Sequence, residues 1–542
     1  MLRRHAVVIG LFLLLSGSVS SSLADAPAIA DVTRQIDNAV TARWQAENVQ
    51  PAAPLDDGLF LRRVMLDLAG RVPTVQEWND YVNDSSADKK QRLVSRLIES
   101  PDFAFHQRNE LDLLLLARLT NNGDWRNYLL EASRDNRPWD QIFQEVVLPE
   151  VHQPENLGTA AFLRERVREL DDLTNDTAVL FFGVNISCAK CHDHPLVADW
   201  QQDHYFGMAS FFQRTYKTKT NFLSEKFDGR LNFKTVEGEE KPAQFMFLTG
   251  TTIDEPTIER TEDELKELQE AVKKAEREDD AEVPQPDFRP RSELVRLALN
   301  DQEKHFFSRN IVNRVWARLM GRGFVEPLDQ MHSDNTPSHP ELLEWLALDL
   351  EQNGYNLKRL MAGIVLSEPY ALSSKWTDDE RPSPELFAAA EPRPLNPRQL
   401  ALSTIVATMH PQQAPGLEKP EDWEKTRENW ENRSNHLAGQ LPIPDENFQV
   451  SVEEALMFSN NDHVANEYLR DSGDRLIGAM KELETVDQKL DLLFQSVFAR
   501  HPNDAERTNI TKYVSERSDR ETAAWQQVLW ALLTSPEFRF NH

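Results

Sequence analysis

The sequence predicts a mainly α fold, with two helical domains and, between them, a small β insert and a charged connector. Apolar residues recur at the spacing of helices across residues 30–215 and again across residues 289–542. Between these regions, short β-like runs separated by Gly and Pro occupy residues 216–257, and Glu, Lys and Asp dominate residues 258–288. A chain of 542 residues is long enough for more than one domain.

The first helical domain contains three clear helix patterns. Residues 59–68 mix apolar and charged side chains at helical spacing, and Gly70 follows as a stop signal. Residues 88–99 place four apolar side chains on one face. Residues 174–182 form an apolar run that leads directly into the two cysteines of the chain, so we expect a helix to position them.

The predicted β insert contains three short runs rich in Phe, Leu, Asn and Met, at residues 221–222, 231–233 and 245–248. The connector, residues 258–288, ends in two prolines. Its dense charge is typical of either an exposed helix or a linker, and it marks a domain boundary.

The two ends of the chain resemble each other. Residues 97–106 are similar to residues 532–542, since each contains Ser-Pro followed by an acidic residue and two phenylalanines. An Arg-x-Pro-x-x-x-Glu pattern lies upstream of each, at residues 71–77 and 500–506. Two interpretations are open: a duplicated helical hairpin, or a common phrase that begins a helix with a serine cap and proline.

The charge of the chain restricts its partners. The formal net charge is −29 and the pI is about 4.9. Nucleic-acid binding needs clustered Lys and Arg to contact phosphates, so this class is excluded, and docking on anionic lipid is disfavoured. The balance fits a protein of the bacterial envelope or one that meets basic partners.

Residues 1–26 resemble a secretory signal. Three basic residues precede the apolar run 6–15, and a plausible cleavage site ends at Ala24. The run is shorter than the roughly 20 residues that span a bilayer, and no second apolar stretch of that length follows. We therefore expect an exported protein, periplasmic or extracellular, with no transmembrane segment in the mature chain.

The strongest motif is Cys188-Ala189-Lys190-Cys191-His192. Two thiols three residues apart can both reach the vinyl carbons of one haem, and the adjacent histidine then reaches the iron. The chain has no other cysteines, so no structural disulfide competes for these thiols. The motif therefore predicts one covalent haem c.

Three other interpretations of the cysteines remain open. A redox-active Cys188–Cys191 disulfide is one, although such sites usually follow a strand. A zinc or iron site is another, with His192, His194 or His204 as further ligands. The third is a purely structural pair.

If haem binds, His192 is the proximal ligand, and the sixth position is open. His194 is too near His192 to cross to the other face of the haem. The sixth ligand would separate an electron carrier from a peroxidase-like or sensor protein. The local candidates are His204 and Met208, and the distant ones are Met246, Met331 and His332.

Two regions resemble a planctomycete family that pairs a cytochrome-type domain of unknown function with a planctomycete-specific domain of unknown function. The first domain is carried by residues 61–74 and by residues 181–195, which include the CxxCH motif, with Trp200, Asp203, Tyr205, Gly207 and residues 211–212 downstream. The second is carried by residues 309–316, 321–325, 327–329, 335–343 and the chain end, 532–542.

The resemblance implies haem at Cys188, Cys191 and His192, but no settled biochemical role. Larger relatives often carry a further cytochrome domain with its own CxxCH, whereas this chain has one such motif and so at most one haem.

The second domain offers a polar cluster of Arg314, Asp329, Asn335 and His339. It predicts either a binding site, including a contact surface for the haem domain, or a set of loop anchors in which Arg314 pairs with Asp329. No esterase elbow, phosphate loop or zinc-protease motif occurs, so enzymatic activity stays undecided.

The expected function is therefore that of an exported haem protein in electron transfer, with a redox protein as its partner. The alternative is a non-haem metal-binding or structural module at the cell envelope, for example for a polysaccharide or protein partner.

Overall fold

The computed structural model describes residues 26–119, 122–149, 157–194, 197–377, 379–413, 420–444 and 462–542. The predicted signal, residues 1–26, lies outside these ranges apart from its last residue. None of the helices in the described part of the chain is long and apolar enough to cross a membrane.

The protein is mainly α, as predicted. The helices are α1 (Ala26–Glu47), α2 (Asp57–Val64), α3 (Val75–Val82), α4 (Lys89–Ile98), α5 (Pro101–Leu116), α6 (Gly123–Arg134), α7 (Trp139–Val147), α8 (Ala161–Arg166), α9 (Leu170–Phe182), α10 (Gln202–Ser210), α11 (Glu262–Arg277), α12 (Pro290–Leu299), α13 (Phe306–Met320), α14 (Pro340–Gln352), α15 (Leu357–Val365), α16 (Pro397–Thr408), α17 (Pro420–Ala438), α18 (Asp462–Glu467), α19 (Leu476–Lys481), α20 (Val486–Phe498), α21 (Asp504–Ser515), α22 (Glu521–Leu533) and α23 (Pro536–Arg539).

The strands of the described residues form four small antiparallel pairs. Three pairs lie in the region of the predicted insert, and the fourth joins the chain end to a distant segment, with Arg393 opposite Asn541. The strands are β1 (Thr215–Lys217), β2 (Leu223–Glu225), β3 (Asn232–Lys234), β4 (Glu240–Pro242), β5 (Phe245–Met246), β6 (Thr252–Ile253), β7 (Arg393–Pro394) and β8 (Phe540–Asn541).

Local stop signals and apolar faces explain why the segments predicted as helices form helices. A π-helical turn, Met65–Ala69, extends α2, and Gly70 ends it at φ 68°. A side chain at Gly70 would place its Cβ 2.5 Å from Nδ1 of His106, so this position requires glycine. In α4 the four apolar side chains of the predicted face are buried.

The charged connector contains a helix. Thr261 caps α11 through a reciprocal pair of hydrogen bonds with Glu264, and Val272 and Ala275 pack with Tyr216 in a small separate cluster. Of the two interpretations of this segment, the exposed charged helix is therefore the one that the structure contains.

Both large apolar cores draw on both predicted helical domains. The main core runs from Val32 in α1 to Ala388 and also includes Ala499. The second core contains Leu66 and Val72 beside residues 395–538. The early helices of the chain are therefore packed against its end, and the N-terminal part that carries the cysteines is not isolated from the rest.

The two similar segments make the same contacts. In each, an arginine donates to both oxygens of the glutamate six residues later, at 2.8–3.0 Å, and to the carboxylate that follows Ser-Pro. In each, that glutamate also closes a capping box. These shared contacts favour a duplicated helical hairpin. The two triads are Arg71, Glu77 and Asp102, and Arg500, Glu506 and Glu537.

Helix α17 covers the first triad and leaves it fully buried. Arg427 donates to Asp102 Oδ1 at 2.9 Å, and Trp423 Nε1 donates to Asp102 Oδ2 at 3.0 Å. The guanidinium of Arg71 lies 5.0 and 5.5 Å from the ring centroids of Trp423 and Trp430. A buried charge is tolerated when it is paired and hydrogen-bonded in this way.

A buried histidine on α5 predicts acid sensitivity. Burial, together with Arg318 and Arg427, lowers the pKa of His106 to about 3. Below pH 6.5 the unfolded chain binds a proton at this histidine that the folded chain does not, so stability falls as the pH falls. We expect His106→Gln to remove about 2 kcal/mol of the loss between pH 7 and pH 5. Urea unfolding of both chains at the two pH values measures this, and equal losses would contradict it.

Candidate functional site

The CxxCH motif lies on a short turn at the surface. Residues Ser187–Lys190 form one 3₁₀ turn, and the N–H of Cys191 donates to the carbonyl of Cys188 at 3.4 Å. Both cysteines are exposed and are not joined to each other, whereas Ala189 between them is fully buried. The turn is therefore anchored by its middle and presents both thiols to solvent.

His192 is exposed beside these thiols, and its tautomer follows from one contact. Its Nδ1 lies 2.8 Å from the carbonyl oxygen of Asp193. A carbonyl can only accept, so Nδ1 carries the proton when the ring is neutral, and the lone pair is on Nε2. This is the arrangement by which metal-bound histidines are oriented through a partner on the other ring nitrogen.

The start of α10 holds the turn in place. The backbone N–H of Gln202 donates to Asp193 Oδ1 at 3.0 Å, and its side-chain amide donates to the carbonyl of Lys190 at 3.4 Å. Lys190 forms an ion pair with Asp171 on α9, and the hydroxyl of Tyr205 donates to the same carboxylate. Hydrogen bonds from Lys190 and Tyr205 lower the pKa of Asp171, which therefore stays charged.

The other candidate ligands occupy different surroundings. The N–H of half-buried His194 donates to the carbonyl of Trp200 at 2.8 Å. In His204, Nδ1 accepts from the N–H of Gln201 at 3.2 Å, and burial lowers its pKa. Met208 is fully buried in the main core.

The candidate ligands that are distant from the motif in sequence also lie in different surroundings. Met246 lies in β5 and is half-buried, Met331 is buried, and His332 is half-buried. Among the described residues, no group of three or more His, Cys, Asp and Glu side chains is arranged to hold a metal ion.

A loop of the second domain lies against the segment that carries the motif. The N–H of Asn185 donates to the carbonyl of Asp329 at 2.9 Å, and its side-chain amide donates to Asp329 Oδ2, also at 2.9 Å. The N–H of Met331 donates to the carbonyl of Gly183 at 2.9 Å. Residues 183–185, which precede the cysteines, are therefore hydrogen-bonded to residues 329–331.

The same loop also contacts the chain after the motif. The N–H of Ser333 donates to Asp199 Oδ2 at 2.8 Å, and its hydroxyl donates to Asp199 Oδ1 at 2.7 Å. Thus residues 329–333 are hydrogen-bonded on both sides of the CxxCH turn.

Two polar residues of α13 hold the C-terminal end of α9. Arg314 donates to the carbonyl of Val179 at 2.7 Å and to Oδ1 of Asn310 at 3.0 Å, while Asn310 donates to the carbonyl of Leu180 at 2.7 Å. These carbonyls are in the last turn of α9 and have few partners within the helix. Burial lowers the pKa of Arg314 to about 10, so it stays charged at neutral pH.

The predicted polar cluster therefore separates into two groups. Arg314 and Asp329 both contact the segment that carries the cysteines. The hydrogen bonds of both residues go to the first domain, while the nearby charge of Asp329 raises the pKa of Arg314 against the larger, opposite effect of burial.

Asn335 and His339 make their contacts within the second domain. The side-chain amide of Asn335 donates to the carbonyls of Glu326 and Gln330, at 3.2 and 3.0 Å, so it anchors its own loop. His339 precedes α14, and its ring packs against Phe387 with centroids 5.4 Å apart. Burial lowers its pKa to about 4, so the ring is neutral.

Sequence reasoning missed three residues that position the motif: Asn185, Asp199 and Ser333. The signal for Asn185 was present, because an Asn two residues before Ser187 often caps a turn, and here its Oδ1 accepts from the N–H and the hydroxyl of Ser187. The Asp199–Ser333 contact spans 134 residues and has no local sequence signal.

Replacing Arg314 tests the contact between the domains. We expect Arg314→Lys to lower the free energy of unfolding by about 1–3 kcal/mol, because one ammonium group cannot reach both acceptors as the guanidinium does. Arg322→Lys, just after the end of α13 and at a half-exposed ion pair with Glu385, should cost less than about 0.5 kcal/mol. Urea unfolding measures both, and equal effects would contradict the assigned contact.

Two family models match the chain. PSCyt2, a protein of unknown function (DUF1549), matches residues 35–217, and PSD1, a protein of unknown function (DUF1553), matches residues 290–441. No curated protein and no solved structure matches. The first match contains the CxxCH turn, and the second contains α13 and the loop that contacts it. The chain therefore belongs to the family of unknown function in which a PSCyt2 domain is followed by a PSD1 domain.

Proposed function

We propose that this chain is an exported c-type haem protein that transfers electrons. One haem is attached through the thiols of Cys188 and Cys191, and His192 binds the iron. The observation that carries the proposal is the turn itself: two exposed, unjoined thiols flank one buried alanine, beside a histidine whose Nε2 holds the lone pair. The haem supplies one-electron chemistry when bound.

The residues of the chain fit the attachment of such a group. The thiols are open to solvent, so thioether bonds can form without unfolding of the core. The carbonyl of Asp193 fixes the tautomer that presents Nε2 of His192. Gln202 donates to the backbone carbonyl of Lys190 and to the side-chain carboxylate of Asp193, on either side of Cys191, which keeps the turn in one conformation.

The second domain contributes rigidity under this proposal. Its loop 329–333 holds the chain before and after the motif, and Arg314 holds the helix that leads into it. A rigid site reduces the structural rearrangement of the protein that accompanies each change in the charge of the attached haem. The turn is exposed, so a partner redox protein can approach the attached group directly.

A pyridine haemochrome spectrum tests the proposal. The full chain should be produced with its export signal in a bacterial host that has the c-type maturation system, and in the same host without that system. We expect a c-type spectrum, a mass gain of one haem and a reversible reduction potential in the first preparation alone. Folded protein without haem from the maturing host would contradict the proposal.

The non-haem alternative has a distinct readout in the same preparations. Zinc or iron found by elemental analysis in haem-free folded protein, and lost with the thiols, would replace haem by a metal site at the turn. Absence of both would favour a structural or binding module.

A further inference from the structure

A cavity of about 420 Å³ lies between residues 199–204, which follow the CxxCH motif, and the second domain. Trp200 and His204 line it from the side of the motif, and Arg309 and His332 line it from the other side. The loop that holds the motif also closes this cavity, since Ser333, which binds Asp199, is part of the lining. The cavity is therefore built by the same contacts that fix the turn.

The lining is cationic in a strongly acidic protein. Its charged residues are Lys304, Arg309 and Asp199, which gives one net positive charge against −29 for the whole chain. Both carboxylate oxygens of Asp199 already accept hydrogen bonds from Ser333. Asp199 stays charged but can only accept hydrogen bonds, so Lys304 and Arg309 are the charged groups of the lining that can donate to a ligand.

Arg309 retains hydrogen-bonding capacity. Its Nη1 donates to the carbonyl of Lys304 at 3.4 Å, but its Nε is buried without a hydrogen-bond partner, and the Glu344 carboxylate oxygen 3.9 Å from it is too far for a hydrogen bond. The lysine is paired with Glu303 at 3.8 Å, which is also longer than a hydrogen bond. A guanidinium and an ammonium group in one cavity are the groups that proteins use to bind carboxylates.

The histidines of the cavity add neutral polar atoms. In His204, Nδ1 accepts from the chain, so Nε2 carries the proton and can donate. Nδ1 of His332 is buried without a hydrogen-bond partner. Burial lowers the pKa of both rings, so both are neutral at pH 7. Trp200 and Phe306, with centroids 6.0 Å apart, supply an aromatic surface.

We propose that this cavity binds a carboxylate group attached to an apolar or aromatic body, with Arg309 and Lys304 as the binding cations. The carboxylate has two possible sources, a free small organic acid or a propionate of the covalently attached haem. The first source does not depend on the proposed function, whereas the second rests on it.

Binding of para-fluorobenzoate, followed by fluorine NMR, tests the proposal. Both the haem-loaded protein and the haem-free variant Cys188→Ser/Cys191→Ser should be titrated, with neutral para-fluorobenzamide as the ligand control. We expect Arg309→Gln and Lys304→Gln each to weaken binding about tenfold or more. The control Lys266→Gln, on exposed α11, should leave it unchanged.

Each outcome decides between the sources or against the site. Binding to both protein forms supports a site for a free acid. Binding to the haem-free form alone supports occupation by the haem propionate. The carboxylate site is overturned if para-fluorobenzoate binds to neither form. It is also overturned if Arg309→Gln leaves the affinity unchanged, or if para-fluorobenzamide binds with the same affinity. Haem content is measured separately, so failure of this site and failure of the proposed function are distinguishable.

Discussion

Cys188→Ser/Cys191→Ser should lose all covalently attached haem and keep its fold. Both side chains are exposed, and serine has nearly the same size as cysteine, so the core is not disturbed. We expect the free energy of unfolding of the haem-free chain to change by less than about 0.5 kcal/mol. The measurement pairs a haemochrome spectrum with urea unfolding of haem-free wild type and variant.

Two results would contradict this expectation in different ways. Haem retained at full stoichiometry would show that the thiols are not the attachment points. A haem-free variant that is much less stable than haem-free wild type would show that the cysteines have a structural role. The control is Ser187→Ala, which alters the same exposed turn without removing a thiol and should keep the haem.

Asp102→Ala should cause the largest loss of stability of the changes considered. The carboxylate accepts hydrogen bonds from Arg71, Arg427 and Trp423, and it is 1% exposed. The two guanidinium groups lower the pKa of Asp102, so it is charged. Its removal leaves two buried cations with fewer partners, which costs about 3–5 kcal/mol. Chemical denaturation monitored by circular dichroism measures the loss.

The duplicated hairpin provides a matched control. Glu537 occupies the equivalent position and binds Arg500 with both oxygens, but its side chain is 27% exposed. Water can solvate the arginine once the partner is removed, so Glu537→Ala should cost about 1 kcal/mol. Equal losses at the two positions would show that burial beneath α17 does not determine the cost.

The helical part of the fold was predictable because local patterns determine it. The apolar face of α4 and the stop at Gly70 are encoded within a few residues of each other. The pairing of β7 with β8 was not predictable. It brings Asn541 to Asp67, 474 residues away, through one side-chain hydrogen bond at 3.0 Å. Such a contact leaves no periodic signal.

At the candidate site too, local features were predictable from the sequence and long-range contacts were not. The spacing of Cys188, Cys191 and His192 identified the motif, since the chemistry requires those residues in that order. The contacts that position the turn depend on backbone carbonyls and amides, as in the bond from Arg314 to the carbonyl of Val179. Every residue has a backbone carbonyl, so the sequence gives no signal for the segment that Arg314 contacts.

Peptide mapping by trypsin and mass spectrometry tests the central claim most directly. Trypsin cuts after Lys190, between the two cysteines, and the flanking sites are Arg168 and Arg214. If both thiols bind one haem, peptides 169–190 and 191–214 stay joined after reduction, with the added mass of one haem. Separate peptides without haem, or a joined pair that reduction splits, would contradict a c-type haem at this turn.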